Sequence, residues 1–142
     1  MGVSQISVFV ENQTGRISRL TDILEKADIS IRGFSLADTA DFGIARFILD
    51  KPVQAQEVLR EAGFLVKATD LLCIELPDRP GALDHVFSVV AGAGIDVQYA
   101  YSLVSTFVAL KVSDIKRAEE ILSGQPVRLV GQSELEQPII RN

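Results

Sequence analysis

Val8-Phe9-Val10-Glu11-Asn12-Gln13-Thr14-Gly15-Arg16-Ile17 has a counterpart in the second half of the chain, Ile74-Glu75-Leu76-Pro77-Asp78-Arg79-Pro80-Gly81-Ala82-Leu83. Each stretch is a β-type apolar run, a polar turn ending in glycine, and an aliphatic residue two positions later. The segment after each glycine repeats as well. Ile17, Leu20, Ile23 and Leu24 recur at helical spacing, and so do Leu83, Val86, Val89 and Val90. The first helix is expected to stop at Lys26-Ala27-Asp28 and the second at Ala91-Gly92-Ala93-Gly94, where small and turn-prone residues collect.

A strand is expected next in each copy. Ile29 to Phe34 and Ile95 to Tyr101 both alternate apolar and polar residues. Gly43 to Leu49 and Thr106 to Val112 read as the next strands. The second helices are Pro52 to Ala62, with proline suited to a first helical position, and Asp114 to Ser123, opened by an aspartate cap. Their expected core positions are Val53, Val58 and Leu59, matched by Ile115, Ala118, Ile121 and Leu122. Phe64-Leu65-Val66 and Val127 to Val130 close the copies. The tail from Gln132 reads as frayed or as a last edge strand.

The order is β-α-β-β-α-β, twice. The fold class is therefore α+β: two ferredoxin-like modules with antiparallel sheets and the helices on one face of each, over residues 1–70 and 71–142. Modules of about 70 residues bury a small fraction of their surface and gain by packing on one another or on a second chain. Phe9, Phe47, Ile74, Leu76, Phe107 and Leu110 are more apolar strand positions than one helix-covered face requires. The surplus is expected to be buried between the modules, between chains, or both, and a homodimer is expected.

The 142 residues are 47% hydrophobic and 23% charged, the composition of a folding globular chain. A formal net charge of −5 makes nucleic acid and anionic membrane surfaces poor partners. No apolar run approaches the ~20 residues that span a bilayer. No signal-peptide pattern precedes the first strand, and the expected location is the cytoplasm.

The residues offer little to catalysis. His85 is the single histidine and lies within a helix. Cys73 is the single cysteine and sits in an apolar strand, where it reads as a small hydrophobe. Together they cannot assemble a zinc site, and no nucleophile–base pair is visible. No cofactor is expected, and the chain reads as a non-enzyme. There remains the turn before each first helix. Free N–H groups at a helix start attract a carboxylate, glycine lets a ligand approach the backbone, and Asn12 or Asp78 can accept from an ammonium group. For a single such turn the same residues read more readily as caps of the turn and helix, and the repeat shifts that balance only modestly, because duplication copies caps too.

Asp78-Arg79-Pro80-Gly81-Ala82-Leu83, with a helix after it and Ile95-Asp96-Val97 beginning the second strand, resembles the Asp-x-Pro-Gly loop of ACT domains. The likeness covers nearly the whole chain as two copies. ACT domains are regulatory modules that commonly bind amino acids where two modules meet, between the glycine loop and the second strand. The resemblance thus implies a free amino acid as ligand. By position it implicates Asp78, Pro80, Gly81, Ala82 and Leu83 with Ile95, Asp96 and Val97. In the first copy it implicates Asn12, Thr14, Gly15 and Ile17 with Ser30 and Ile31. That copy departs from the pattern, since Asn12 replaces the acid and Thr14 the proline. Tyr99 or Tyr101 is expected to contact the ligand's side chain, and with Ile31 and Phe34 they lean towards an apolar ligand. A regulatory subunit docked on a metabolic enzyme through its sheet is the alternative.

Overall fold

The computed structural model describes residues 2–11, 14–38 and 42–138. In chain order the elements are β1 (Val3–Glu11), α1 (Arg16–Lys26), β2 (Ile31–Asp38), β3 (Phe42–Leu49), α2 (Pro52–Glu61), β4 (Leu65–Glu75), α3 (Ala82–Gly92), β5 (Val97–Ser102), β6 (Phe107–Val112), α4 (Ile115–Leu122), β7 (Arg128–Leu129) and α5 (Gln132–Leu135). The strands form one sheet in the order β2-β3-β1-β4-β6-β5, with β7 also on β4, and all the pairings are antiparallel. Each half has the ferredoxin-like arrangement expected from the repeat.

The two expected strands around residue 70 are one strand. β4 pairs with β1 through Leu65 to Leu71 and with β6 through Leu72 to Glu75. The residue 70/71 boundary read from the repeat falls inside it. No glycine or proline interrupts Leu65 to Glu75, and Asp70 alone does not stop the strand.

Side-chain alternation along the strands builds three cores. Ile6, Val8, Val10, Ala45, Phe47, Leu49 and Val66 point towards α1 and α2 and meet Leu20, Leu24, Ala55 and Leu59. Leu72, Ile74, Leu110 and Val112 do the same beneath α3 and α4, against Val86, Val90, Ala118 and Leu122. Each fully buried leucine or isoleucine contributes about 1.5–3 kcal/mol. The third core lies on the other side of the sheet. There Val3, Ile48, Leu71, Cys73, Leu103, Phe107 and Ala109 pack together, with Val130 and Leu135. The helix-free faces of the two modules thus cover each other within one chain. Of the surplus apolar strand positions, Phe47, Ile74 and Leu110 belong to the helix-covered cores, Leu76 packs against the second of these, Phe107 belongs to the third, and Phe9 stays 39% exposed.

The sheet curls until its edge strands meet. Gly33 and Leu103 form an antiparallel bridge, and the Val104 N–H donates to the Arg32 carbonyl at 2.8 Å. A Cβ on Gly33 would lie 2.1 Å from Leu103 Cδ2 and 3.2 Å from Leu103 Cα, so glycine is what permits the approach.

Over residues 132–138 the tail departs from its reading as frayed chain or edge strand, and residues 139–142 lie outside the described residues. Gln132–Leu135 is a short helix with Leu135 buried. It closes one end of the curled sheet. The Gln132 side chain accepts from Ser4 N–H (2.9 Å) and donates to the Leu49 carbonyl (3.2 Å), while Arg32 Nε donates to the Leu135 carbonyl (2.8 Å). Arg128 fastens it further, with ion pairs to Glu134 (2.6 Å) and Glu75 (2.7 Å). Val53 also departs from its expected core position. It is 67% exposed, while Ala55 and Leu59 carry the buried face of α2. Asp114 caps α4 as expected, accepting from Arg117 N–H at 3.1 Å.

Candidate functional site

Gly15 and Gly81 are the N-cap residues of α1 and α3, at φ 86° and 85°, in the left-handed region that favours glycine. A glycine N-cap has no side chain with which to cap either helix, and among the described residues no side chain accepts from the first turn of α3. The choice between ligand group and cap is thereby narrowed for Asp78: its carboxylate does not cap α3. The turn is held by backbone instead, with Arg79 N–H donating to the Pro77 carbonyl (2.9 Å) and His85 N–H to that of Gly81 (2.9 Å). The Leu83 and Asp84 amides have no acceptor among the described residues. They belong to the orphan donors of a helix start, with the positive end of the helix dipole behind them.

A cleft of about 340 Å³ opens beside this turn. Asp78, Gly81, Ala82 and Leu83 line it, facing Ser102, Thr106 and Phe107 from the β5–β6 hairpin. Its volume falls in the range of small-ligand pockets. Pro80 is exposed at the turn and is not part of the lining. Asp78 and Asp84 place two carboxylates at the cleft and Arg79 one guanidinium, so both halves of a zwitterion meet complementary charge.

Ile95, Asp96 and Val97 lie elsewhere, along a separate groove with Phe87, Val90 and Gly94 at the far end of α3. Within one chain the glycine loop and the start of β5 are therefore not brought together. In the first copy Thr14 and Gly15 are exposed, Ile17 is 37% exposed, and Asn12 lies outside the described residues. Leu83, at the equivalent position, is 38% exposed. Both helices thus present their first aliphatic residue to the outside beside the glycine. Ser30 and Asp96 are also equivalent, and both have their amides engaged. Ser30 N–H donates to Asp50 Oδ1 (2.8 Å) and Asp96 N–H to Ser113 Oγ (3.0 Å). Any ligand role left to them is one for their side chains. Ile31 lies with Phe34 and Leu103 along the seam where β2 meets β5.

Tyr99 and Tyr101 do not stand where a ligand's side chain would reach them from the Asp78 cleft. They turn into the curled sheet. Gln5, fully buried, donates through Nε2 to Tyr99 Oη (2.8 Å) and to Ser7 Oγ (3.2 Å), and accepts through Oε1 from Tyr101 Oη (2.7 Å). The rings stack with centroids 6.5 Å apart. Burial raises the Tyr101 phenol well above its ordinary range, with Tyr99 adding to the effect. The physical reason is a bulge between Val97 and Tyr99, which the alternating sequence pattern conceals. It shifts the register, so Val97 faces the helices while both tyrosines face inward.

The groups that could have suggested catalysis are apart. His85 is exposed, with Nε2 2.8 Å from Gln125 Oε1. Cys73 is buried, and desolvation pushes its thiol up to about 12, with Glu134 adding and Arg128 opposing. Among the described residues no group of three or more His, Cys, Asp or Glu could hold a metal ion, and no helix is long and apolar enough to cross a membrane.

Two βαββαβ modules on one chain, each with a left-handed glycine opening its first helix, define the class of tandem ferredoxin-like modules. The chain belongs to the ACT domain pair family, which matches residues 1–138. It is similar to protein BT0572 from Bacteroides thetaiotaomicron, whose crystal structure is 33% identical, with a TM-score of 0.91 over 97% of this chain and 98% of that one. The fold is shared with the regulatory subunit of aspartate kinase from Thermus thermophilus (ligand-free form; 17% identity, TM-score 0.62, 85% of this chain and 89% of that one). The same subunit from Thermus flavus superposes at TM-score 0.63 with 14% identity, over 87% of this chain and 92% of that one. No curated protein matches the chain.

Proposed function

We propose that this protein is a non-catalytic amino-acid sensor of the cytoplasm. The observation that carries the reading is the cleft beside α3. Orphan amides at a helix start meet a carboxylate's requirement, Asp78 an ammonium's, and the apolar Leu83 and Phe107 stand beside them. The α-carboxylate sits over the start of α3 and the ammonium at Asp78, within the module spanning residues 71–142. The exposed pair Ile17 and Leu83 and the remote position of Ile95 to Val97 both suit a ligand completed by a second copy, whose own second strand supplies the missing wall. In the first copy Thr14, Gly15 and Ile17 would form the equivalent, weaker site.

The test is a thermal-unfolding screen against the twenty amino acids. A ligand at 100 times its dissociation constant adds about 2.7 kcal/mol. For a chain of this size that raises the midpoint by about 5–10 °C. Asp78→Ala is expected to abolish the shift and leave the ligand-free midpoint within about 1–2 °C, because Asp78 is exposed and caps nothing. A full response from the Asp78→Ala protein would place the site elsewhere.

A second reading, docking on a metabolic enzyme, is favoured by one observation. Phe34 and Leu36 are 60% and 55% exposed on the edge strand β2. Since the helix-free faces are occupied internally, β2 is the part of the sheet left for a partner. Absence of any amino-acid response together with retention of a metabolic enzyme on immobilised protein would favour this reading.

A further inference from the structure

At the end of the curled sheet away from α5 lies a cavity of about 410 Å³ with a different chemistry. It is lined by residues of five strands, β1, β3, β4, β5 and β6, with Phe9 and Ile44 among them. Ser7 on β1 pairs directly with Arg46 on β3 and with Lys67 on β4, so the three side chains stand in one row on one face. With strands about 4.8 Å apart, Arg46 and Lys67 start roughly 10 Å from each other, with a hydroxyl between them. Tyr99 and Lys111, themselves a cross-strand pair, close the opposite wall. Thr69 adds a second hydroxyl.

Three cations therefore share one cavity in a chain whose net charge is −5. No aspartate or glutamate lines it, and Glu11, further along the same face of β1, stays outside the lining. Among the described residues none of the three is ion-paired with a carboxylate. Arg46 is held in place by stacking its guanidinium over the Tyr99 ring, 4.2 Å from the centroid, and Tyr99 is anchored by Gln5. Arg46 and Lys111 are half-buried. An ordinary solvated basic face spreads its charges outward, where water and salt screen them. Here three cations line one cavity together with the hydroxyls of Ser7 and Thr69 and the apolar Phe9 and Ile44, and an anion seated among them meets complementary charge.

We propose that this cavity is an anion site for a compact dianion, a phosphate monoester or a dicarboxylate, distinct from the cleft at Asp78. The guanidinium supplies a planar fork of donors, the two ammonium groups supply point charges, and Ser7 and Thr69 can donate to the remaining oxygens. The site lies where β1, β3 and β4 of one module face β5 and β6 of the other. An occupant would clamp the two halves together, giving the chain a second input besides the proposed amino acid.

Thermal unfolding and titration calorimetry with inorganic phosphate test this against sodium chloride of equal ionic strength. Saturating phosphate is expected to raise the midpoint by about 5–10 °C over the chloride control. Lys67→Gln and Lys111→Gln are each expected to weaken phosphate binding about tenfold or more. Lys67 is exposed, so its variant folds. Asp78→Ala is expected to keep the full phosphate response, which separates failure of this site from failure of the amino-acid site. Glycerol phosphate and succinate then distinguish the two sources, and preference for either supports the proposal and names the class. Equal midpoints in phosphate and chloride, or full phosphate binding by both lysine variants, would overturn it.

Discussion

Cys73 shows how one residue's environment decides its chemistry. In sequence it is the single thiol of the chain; in the fold it is fully buried among Leu71, Phe107 and Ala109. Burial holds its pKa at about 12, above the ordinary 9.0. At pH 8 the native thiol is expected to react with iodoacetamide on the order of a thousand-fold more slowly than in urea-denatured chain, as its thiolate fraction falls with the raised pKa. Stability follows the same sign. A folded-state pKa above the unfolded one means the contribution is complete below pH 9 and is lost as pH climbs towards 12. Tyr101, also raised by burial, acts in the same direction at higher pH. Urea unfolding between pH 7 and 10.5 should show the unfolding free energy falling above pH 9, and Cys73→Ala should make that fall shallower. A thiol that alkylates at the denatured rate in native protein would show that this core opens readily. The expected placement of Cys73 as a small hydrophobe was thus legible from its apolar neighbours. The inward role of Tyr99 and Tyr101 was not, because alternation identifies two faces of a strand and says nothing of a bulge that exchanges them.

At the scale of elements, the repeat in the sequence carried most of the information. Helical spacing located α1 and α3, proline and aspartate located the starts of α2 and α4, and both left-handed glycines fall where the paired turns place them. Tertiary closure was invisible to it. Gly33 sits in a strand whose alternation reads the same with or without a partner, yet it is the point where β2 meets β5. Gly33→Ala would press a methyl group onto Leu103, at 2.1 Å from Cδ2 and 3.2 Å from Cα. The side chain can rotate away but the backbone cannot, so we expect a loss of about 1–3 kcal/mol in denaturant unfolding. Adding Leu103→Ala should recover little of that cost, because it removes the Cδ2 clash, leaves the crowding against the Leu103 backbone and opens a gap in the third core. Wild-type stability in Gly33→Ala would mean the edges do not close in solution. The candidate site was legible to the same degree. The glycine loops are dictated by residue type and local order, whereas the separation of Ile95 to Val97 from Asp78 is set by the length of α3, which carries the chain to the opposite end of the module.

The whole molecule resolves most of the surplus of apolar strand residues through one of the two expected routes, the contact between modules. The modules use their helix-free faces on each other, so a second chain is not needed to cover them. The far half of β2 stays uncovered. Its backbone pairs with β3 on one side, and among the described residues its other edge is engaged at Arg32 and Gly33 alone. Phe34 and Leu36 project there on the helix side, 60% and 55% exposed, while the equivalent positions of β5 are Ala100 and Ser102. The asymmetry is informative, because an open edge carrying large apolar side chains invites strand pairing unless it is used. A second copy related by a two-fold axis would bring β2 against β2 and Phe34 and Leu36 over their own counterparts, an isologous contact. Sedimentation equilibrium should therefore return a dimer, and Leu36→Lys, which puts a charge onto that contact without touching either core, should return a monomer of unchanged circular dichroism. If the amino-acid site is completed across this axis, the same variant should also lose its ligand response. A Leu36→Lys dimer would move the interface to the exposed Ile17 and Val53 on the helices, and a monomeric wild type would leave the edge of β2 for an unlike partner.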